Sequence, residues 1–231
     1  MARFERVPFK NNDEFLSVRS KGIGGSDVSA IFGKNPYMTN YQLWQEKIDQ
    51  TKKQRRVFSE EAVDYGHKAE TLIREMFRLD YPQFELYHND EILVIKDKPY
   101  IRGALDGELT VLEDYEMNGK MLKKGMKGAW ECKTALILAA MHKEKWEHDN
   151  IPINYLFQII HYLLVTGYDF TIMRAQLKRI WQGKVTLDTR DYLFMREDFE
   201  EEIKYLEGGI DDFWNKYVIP KKEPPLILPT I

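Results

Sequence analysis

Helical periodicity toward both ends of the chain, strand-like alternation in its middle and the absence of any long apolar run predict an α/β or α+β sandwich, a mixed central sheet flanked by helices. With 231 residues, 43% of them hydrophobic and 31% charged, the chain is long enough for one domain with its own core and too polar for a membrane bundle. No repeat, low-complexity segment or long linker divides it, so a single domain over residues 1–231 is expected. The longest uninterrupted apolar stretch, Ala135 to Met141, has seven residues, and the opening MARFERVPFK lacks the apolar centre of a signal peptide. A cytoplasmic protein without membrane contact is expected. The single cysteine, Cys132, excludes a disulfide framework, a four-cysteine zinc site and a four-thiolate iron-sulfur cluster, leaving oxygen or histidine for any metal.

Asn12 to Arg19 reads as a short helix, and Gly22 to Gly25 interrupts the pattern before Ser26 caps a second helix, SDVSAIF. Thr39 and Asn40 offer caps for a third, through Leu43, Trp44 and Ile48. After the basic run Lys52, Lys53, Arg55, Arg56 comes the longest helical pattern, from Ser59 to Tyr81. The period then changes to two. Glu91 to Ile95 and Tyr100 to Val111 are strand-like, and in the second Arg102, Ala104, Asp106 and Glu108 share one face. Asn118-Gly119 marks a hairpin turn, and Lys127 to Thr134 is a further strand. A helix from Ala135 to about Glu147 and another from Ile153 to a stop at Gly167 follow, then strands over Asp169 to Leu177 and Val185 to Met195. Phe199, Ile203, Leu206, Ile210, Phe213, Trp214 and Tyr217 form the stripe of a closing helix.

Net charge is -3, but residues 1–56 carry 11 Lys+Arg against 6 Asp+Glu while the remainder is acidic. A basic segment on an acidic body suits a nucleic-acid enzyme with a positive groove, and equally suits a solvated surface. The sharpest chemical signal is Gly128-Ala-Trp-Glu-Cys-Lys-Thr134, where alternation sets Glu131 and Lys133 on one face of an otherwise apolar strand. Asp106 lies on a strand that would pair nearby. If both point into one cleft, Asp106 and Glu131 can hold a hard divalent cation by oxygen, completed by a backbone carbonyl and water. Lys133 would then orient or deprotonate water, or stabilise charge on phosphorus. For an isolated Glu-x-Lys an exposed cross-strand ion pair is the commoner explanation.

Glu70 lies on a helix stripe with Val63, Gly66, Ile73 and Phe77, so its carboxylate needs a partner, either a lysine or a metal shared with Asp106. Three carboxylates and a lysine permit two-metal phosphodiester hydrolysis, with cations roughly 4 Å apart. Gly22-Ile-Gly-Gly-Ser-Asp27 is neither GxGxxG nor a Walker A loop, which argues against an ATP-driven motor. It does place Ser26 at a helix start with Arg19 seven residues before it, an arrangement that serves an anion or simply caps the helix.

RSKGIGGSDVSAIFGKNPYMTNYQLWQEKI, GHKAE, GALDGEL, WECKT and FQIIHYLLVTG, in this order, resemble the YqaJ-like viral recombinase family, the lambda-type alkaline exonucleases, over residues 15 to 178. The resemblance implies the restriction-endonuclease-like PD-(D/E)XK fold and a Mg²⁺- or Mn²⁺-dependent exonuclease. Such an enzyme digests one strand of duplex DNA from a 5′ end, preferring a 5′ phosphate, and leaves a 3′ overhang. By the same resemblance the metal ligands, two cations per site, are Asp106, Glu131, Glu70 and the backbone carbonyl of Cys132. Lys133 is the catalytic lysine, Arg19 and Ser26 bind phosphate, and Gln158 and Tyr162 support the site. A trimeric ring and a single-strand annealing protein are the implied partners. From the residues alone, Gln158 reads as a satisfied buried amide, and His67 and His161 as packing or hydrogen-bonding histidines.

Between Asp106 and Glu131 lie 24 residues, more than the family usually places there, with Lys120, Lys123, Lys124 and Lys127 among them. A basic hairpin beside the cleft, touching DNA or a neighbour, or simply solvated, is expected. The tail KKEPPLILPTI is expected to lie across a neighbouring subunit or to fold back over its own domain. The rival functions are an internally cutting, restriction-like endonuclease and a non-catalytic DNA-binding subunit of a recombination complex. A two-carboxylate glycosidase is a weaker rival, because Lys133 has no role in that chemistry.

Overall fold

The computed structural model describes residues 3–49, 60–137, 145–146 and 150–229. The basic run at Lys52 to Arg56, the Ser59 cap and most of the helix expected after Thr134 lie outside the described residues.

Three short helices open the chain: α1 (Asn12–Ser20), α2 (Gly25–Ile31) and α3 (Asn40–Ile48). The Asn11 side chain accepts from the Glu14 N–H at 2.9 Å to cap α1, and Thr39 with Gln42 forms a reciprocal capping box on α3. Ser26 is not the cap of α2. That position is Gly24, and the Asp27 carboxylate reaches back to the Gly24 N–H at 3.3 Å, because glycine has no side chain to offer. The long helix α4 covers Glu60–Asp80.

A five-stranded sheet runs in the order β10 (Lys184–Met195), β9 (Phe170–Trp181), β8 (Lys127–Leu136), β5 (Gly107–Val111), β2 (Phe84–Tyr87). All pairs are antiparallel except β8 with β9, whose parallel pairing needs a crossover, and α5 (Ile153–Thr166) lies in it. Gly167 ends α5 at φ 69°, a left-handed conformation that glycine adopts without strain. A three-stranded sheet orders β1 (Phe4–Pro8), β3 (Glu91–Ile95) and β4 (Arg102–Gly103). The chain closes with α6 (Glu200–Phe213) and a π turn over Trp214–Val218.

The segment Tyr100 to Val111 is therefore two strands in two sheets. Between them Ala104 to Asp106 leaves the ladder, and side chains replace the strand partners: the Tyr162 hydroxyl donates to the Ala104 carbonyl at 2.8 Å, and the Asp106 carboxylate accepts from the Cys132 N–H at 2.8 Å. The strand β8 also continues through Ala135 and Leu136, where a helix was expected to begin.

Alternation sends the two faces of the large sheet to different partners. Trp130, Phe170 and Ile172 pack with Ile73 and Phe77 of α4, while Met173, Ala175 and Leu177 pack with Ile159 of α5. A further core joins α2, α5, α6 and the small sheet around Ile23, Ile101, Leu163 and Ile210. Arg174, buried on β9, binds Asp80 at the end of α4 and Asp191 on β10, each at 2.8 Å, so α4 is fixed against the sheet.

The basic hairpin is present as β6 (Tyr115–Met117) and β7 (Lys120–Leu122), joined by Asn118 and Gly119 at φ 50° and 74°. It docks on its own domain: Met117 and Leu122 are buried, Lys120 meets Asp198 at 3.1 Å and Lys123 meets Asp114 at 2.9 Å. The tail also folds back on its own domain. The Asn40 side chain donates to the Pro225 carbonyl at 2.7 Å and accepts from the Ile227 N–H at 2.8 Å. Among the described residues no helix is long and apolar enough to cross a membrane.

Candidate active site

The parity of β8 points Glu131 and Lys133 away from α4 and toward α5. Glu131 is 1% exposed; its Oε1 is in contact with the Lys133 ammonium and accepts from Gln158 Nε2 at 2.7 Å. Its other oxygen, Oε2, is buried with no hydrogen-bond partner among the described residues. Burial first, and then the neighbouring Asp106 carboxylate, push the Glu131 pKa up to about 8 against the opposing pull of Lys133. Burial alone would lower the pKa of Lys133, but Glu131 and Asp106 outweigh it and hold the lysine above its ordinary value. Gln158 Nε2 also donates to the Tyr162 hydroxyl at 2.7 Å. Gln158 is thus the satisfied buried amide that its helix face suggests, and its partner is the Glu131 carboxylate.

Asp106 enters from the start of β5. Because Gly107 pairs with Trp130, Asp106 stands opposite Glu131, and its Oδ2 is held by the Cys132 N–H. Glu70 approaches from α4 and is half-buried, with Arg74 one turn later as its ion-pair partner rather than a lysine. Burial and the Asp106 charge raise the Glu70 pKa to about 7, with Arg74 and Lys133 opposing. Glu70, Asp106, Glu131 and Lys133 are therefore within electrostatic reach of one another. Among the described residues no three acidic, histidine or cysteine side chains converge as a ready-made metal cage, since Arg74, the Cys132 N–H and Lys133 each engage one carboxylate. Burial pushes the Cys132 thiol well above its ordinary pKa, so at neutral pH its backbone, not its sulfur, is available as a ligand.

Arg19 and Ser26 meet beside these acids. Arg19 Nη2 donates to Ser26 Oγ at 2.5 Å and to Asp27 Oδ1 at 3.0 Å. Asp27, 1% exposed, also takes Lys47 Nζ at 3.0 Å on Oδ2. It acts as a positioning residue that fixes Arg19, a role that its place at the end of the glycine segment did not reveal. A cavity of about 170 Å³ is lined by Arg19, Ser26, Arg102, Asp106, Gln158 and Tyr162. Gly25 lets the backbone close on α5 here: a Cβ would stand 2.8 Å from the Tyr162 ring. Arg102 is a second cation in the wall, fixed by the Val18 carbonyl at 2.9 Å and the Pro99 carbonyl at 2.8 Å, with burial lowering its pKa. Its alternation with Asp106 placed it on the right face without naming a role. The i,i+4 spacing of Glu70 and Arg74 was the readable signal for the other missed cation.

His67 is exposed, while His161 is fully buried with Nε2 2.7 Å from the Arg102 carbonyl, so it is neutral with Nε2 as donor. Burial pushes its pKa down to about 4, below the ordinary 6.5, so the unfolded chain takes up a proton that the folded one refuses. The stability this contributes is complete above pH 6.5 and is lost as the pH falls toward 4. From pH 7 to pH 5 the loss amounts to about 2 kcal/mol. Urea titrations at both pH values should show a smaller difference for His161→Gln than for wild type; equal differences would assign the acid sensitivity to other groups.

The fold has known counterparts. A solved alkaline exonuclease from Laribacter hongkongensis, LHK-Exo, superposes with a TM-score of 0.61 at 12% identity, over 91% of this chain and 94% of that one. The same protein in complex with dAMP gives 0.60 over the same shares. The shared architecture is the restriction-endonuclease-like PD-(D/E)XK fold. A curated relative, the uncharacterized protein YqaJ of Bacillus subtilis (strain 168), is 28% identical over 221 residues, or 94% of this chain. The chain spans 59% of that relative's length. The model of the YqaJ-like viral recombinase domain matches residues 14–169, which include Arg19, Ser26, Glu70, Asp106, Glu131, Lys133, Gln158 and Tyr162, and so this chain belongs to that family.

Proposed function

We propose that the chain is a Mg²⁺- or Mn²⁺-dependent exonuclease that hydrolyses linear double-stranded DNA from its 5′ ends, releasing 5′-phosphomononucleotides and leaving 3′ overhangs for phage-type recombination. One observation carries this reading: the arginine-lined cavity includes Asp106 and Gln158, and Gln158 binds the buried Glu131 of the Glu131–Lys133 pair, so an anion pocket adjoins the carboxylate cluster. That a solved protein of this fold is an alkaline exonuclease, and that the family is one of viral recombinases, supports it.

The donor set fits a hard divalent cation. Its donors are oxygens, the Asp106 charge raises the pKa of both Glu131 and Glu70, and Glu131 Oε2 is buried without a hydrogen-bond partner among the described residues. Asp106, Glu131, the Cys132 carbonyl and Glu70 would hold two cations, which when bound supply Lewis-acid polarisation of the phosphate and a more acidic water. The chain's own groups do the rest. Lys133, an ammonium against Glu131, adds positive charge where the phosphoryl oxygens become more negative. Gln158, fixed by Tyr162, holds the Glu131 carboxylate in place. Arg19 and Ser26 receive the terminal phosphate, with Asp27 holding the guanidinium in position. A trimeric ring around DNA and a single-strand annealing partner belong to the same proposal, as does a cytoplasmic location.

The phosphate pocket gives the test. Duplex with a 5′ phosphate should be degraded roughly ten- to a hundredfold faster than duplex with a 5′ hydroxyl, the ratio expected of a charge-assisted contact. Arg19→Ala should erase most of that difference in an end-labelled digestion assay. Equal rates on both ends, for wild type and variant alike, would reduce Arg19 and Ser26 to structural partners of Asp27.

A further inference from the structure

Lys47 is a lysine on the buried face of its helix. It follows Leu43 and Trp44, both core residues, by four and three positions on α3, and its own side chain is only 5% exposed. The helix is fixed at this place: Trp44 Nε1 donates to the Tyr217 carbonyl at 3.0 Å, and Asn40 binds the C-terminal tail. A buried ammonium needs a counter-ion, and Lys47 Nζ donates to Asp27 Oδ2 at 3.0 Å. The Asp27 side chain, 2% exposed, receives Arg19 on its other oxygen.

Joining α3 to α2 is one consequence of this contact; the other is the charge presented to the arginine-lined cavity. A guanidinium paired with a carboxylate alone sums to zero, and a buried carboxylate beside an anion pocket repels the anion that the pocket is to admit. With Lys47 the sum changes, since Arg19, Asp27 and Lys47 together carry one positive charge. Arg19 uses Nη2 for Ser26 and Asp27, while its Nε and Nη1 make no hydrogen bond among the described residues. Lys47 itself is not part of the cavity wall. Its effect on a bound phosphate therefore passes through Asp27 and Arg19.

We propose that Lys47 is a positioning residue of the phosphate pocket, neutralising Asp27 so that the carboxylate orients Arg19 without cancelling the charge that Arg19 offers to a phosphate monoester. The inference rests on the reading of Arg19 and Ser26 as a phosphate site and adds to it how a carboxylate is tolerated there. Charge and shape are separable at these positions. Lys47→Met keeps an unbranched apolar stem and removes the charge. Asp27→Asn combined with Lys47→Met removes both charges of the buried pair and leaves an Oδ1 acceptor for Arg19, at the cost of the Gly24 N–H contact.

Fluorescence anisotropy in EDTA, with duplex oligonucleotides that differ only in a 5′ phosphate or a 5′ hydroxyl, tests the charge balance without requiring turnover. Wild type should prefer the phosphate roughly ten- to a hundredfold, and Lys47→Met should lose most of that preference while binding the hydroxyl duplex as wild type does. Lys47→Arg should keep the preference. The double variant should regain it although Lys47 is still absent, a recovery that a merely structural lysine would not give. A wild-type preference in Lys47→Met, or a double variant no better than Lys47→Met, would overturn the proposal. If Lys47→Met does not fold, the double variant decides alone: retained preference supports the charge balance and lost preference overturns it. Wild type that binds both ends equally, or neither, loses the phosphate pocket and this inference together. Wild type that prefers the phosphate yet cuts no DNA with Mg²⁺ loses only the exonuclease.

Discussion

Asp106→Ala and Glu131→Ala are each expected to lower DNA cleavage by about a thousandfold or more, because on the proposed reading each removes one of the carboxylates that would hold the cations. Their effects on stability should differ. Glu131 is the buried counter-ion of Lys133 and the acceptor for Gln158, so its removal strands a buried ammonium and should destabilise the fold. Asp106 instead adds to the repulsion that raises both Glu131 and Glu70. With folded pKa values of about 8 and 7 above an ordinary 4.5, these two groups favour the fold below pH 4.5 and lose that contribution as the pH rises through 7 and 8. Asp106→Asn keeps an acceptor for the Cys132 N–H and removes the charge. In EDTA at pH 8 it should therefore melt at a higher temperature than wild type while remaining inactive. A wild-type cleavage rate in Asp106→Ala or Glu131→Ala would refute their assignment as ligands, and a lower melting temperature for Asp106→Asn would refute the repulsion.

Lys133→Ala should reduce the single-turnover rate by about a hundred- to a thousandfold with little change in DNA affinity, since its charge is needed most where the phosphoryl oxygens gain negative charge. Lys133→Arg separates charge from shape. The ammonium lies in a confined place between Glu131 and the Tyr155 ring, so a planar guanidinium should restore only part of the rate. If Lys133→Ala loses affinity and rate in equal proportion, the lysine is a ground-state phosphate contact and the electrostatic role falls.

The parts of this site that were legible in the sequence are those governed by short-range periodicity. Alternation along β8 was enough to place Glu131 with Lys133 and Trp130 with the opposite core, and the helix stripe was enough to turn Glu70 toward the sheet. What escaped depends on contacts between distant segments. The strand expected over Tyr100 to Val111 breaks because Tyr162 and Asp106 supply hydrogen bonds that alternation cannot foresee, and that break is what carries Asp106 to Glu131. Ser26 looked like a cap because its residue type favours one, whereas Asp27 one residue later does the capping and also fixes Arg19 and Lys47. The strands β1 and β2 are too short, and β1 too exposed, for their pattern to stand out beside the neighbouring helices. By composition the lysines of the hairpin after β5 suited DNA, a neighbouring subunit or solvent alike. Lys120 and Lys123 instead meet acids of the same chain, 78 and 9 residues away in sequence.

The most direct measurement of the central claim is a digestion of 5′-phosphorylated linear duplex beside a covalently closed circle of the same sequence, each with Mg²⁺ and with EDTA. The account predicts that the linear DNA is reduced to 5′-mononucleotides and single strands with Mg²⁺ alone, and that the circle stays intact in every lane. Linear DNA consumed in EDTA would contradict the carboxylate site as the seat of catalysis. A nicked or cut circle would contradict the exonuclease and leave a restriction-like endonuclease built on the same residues.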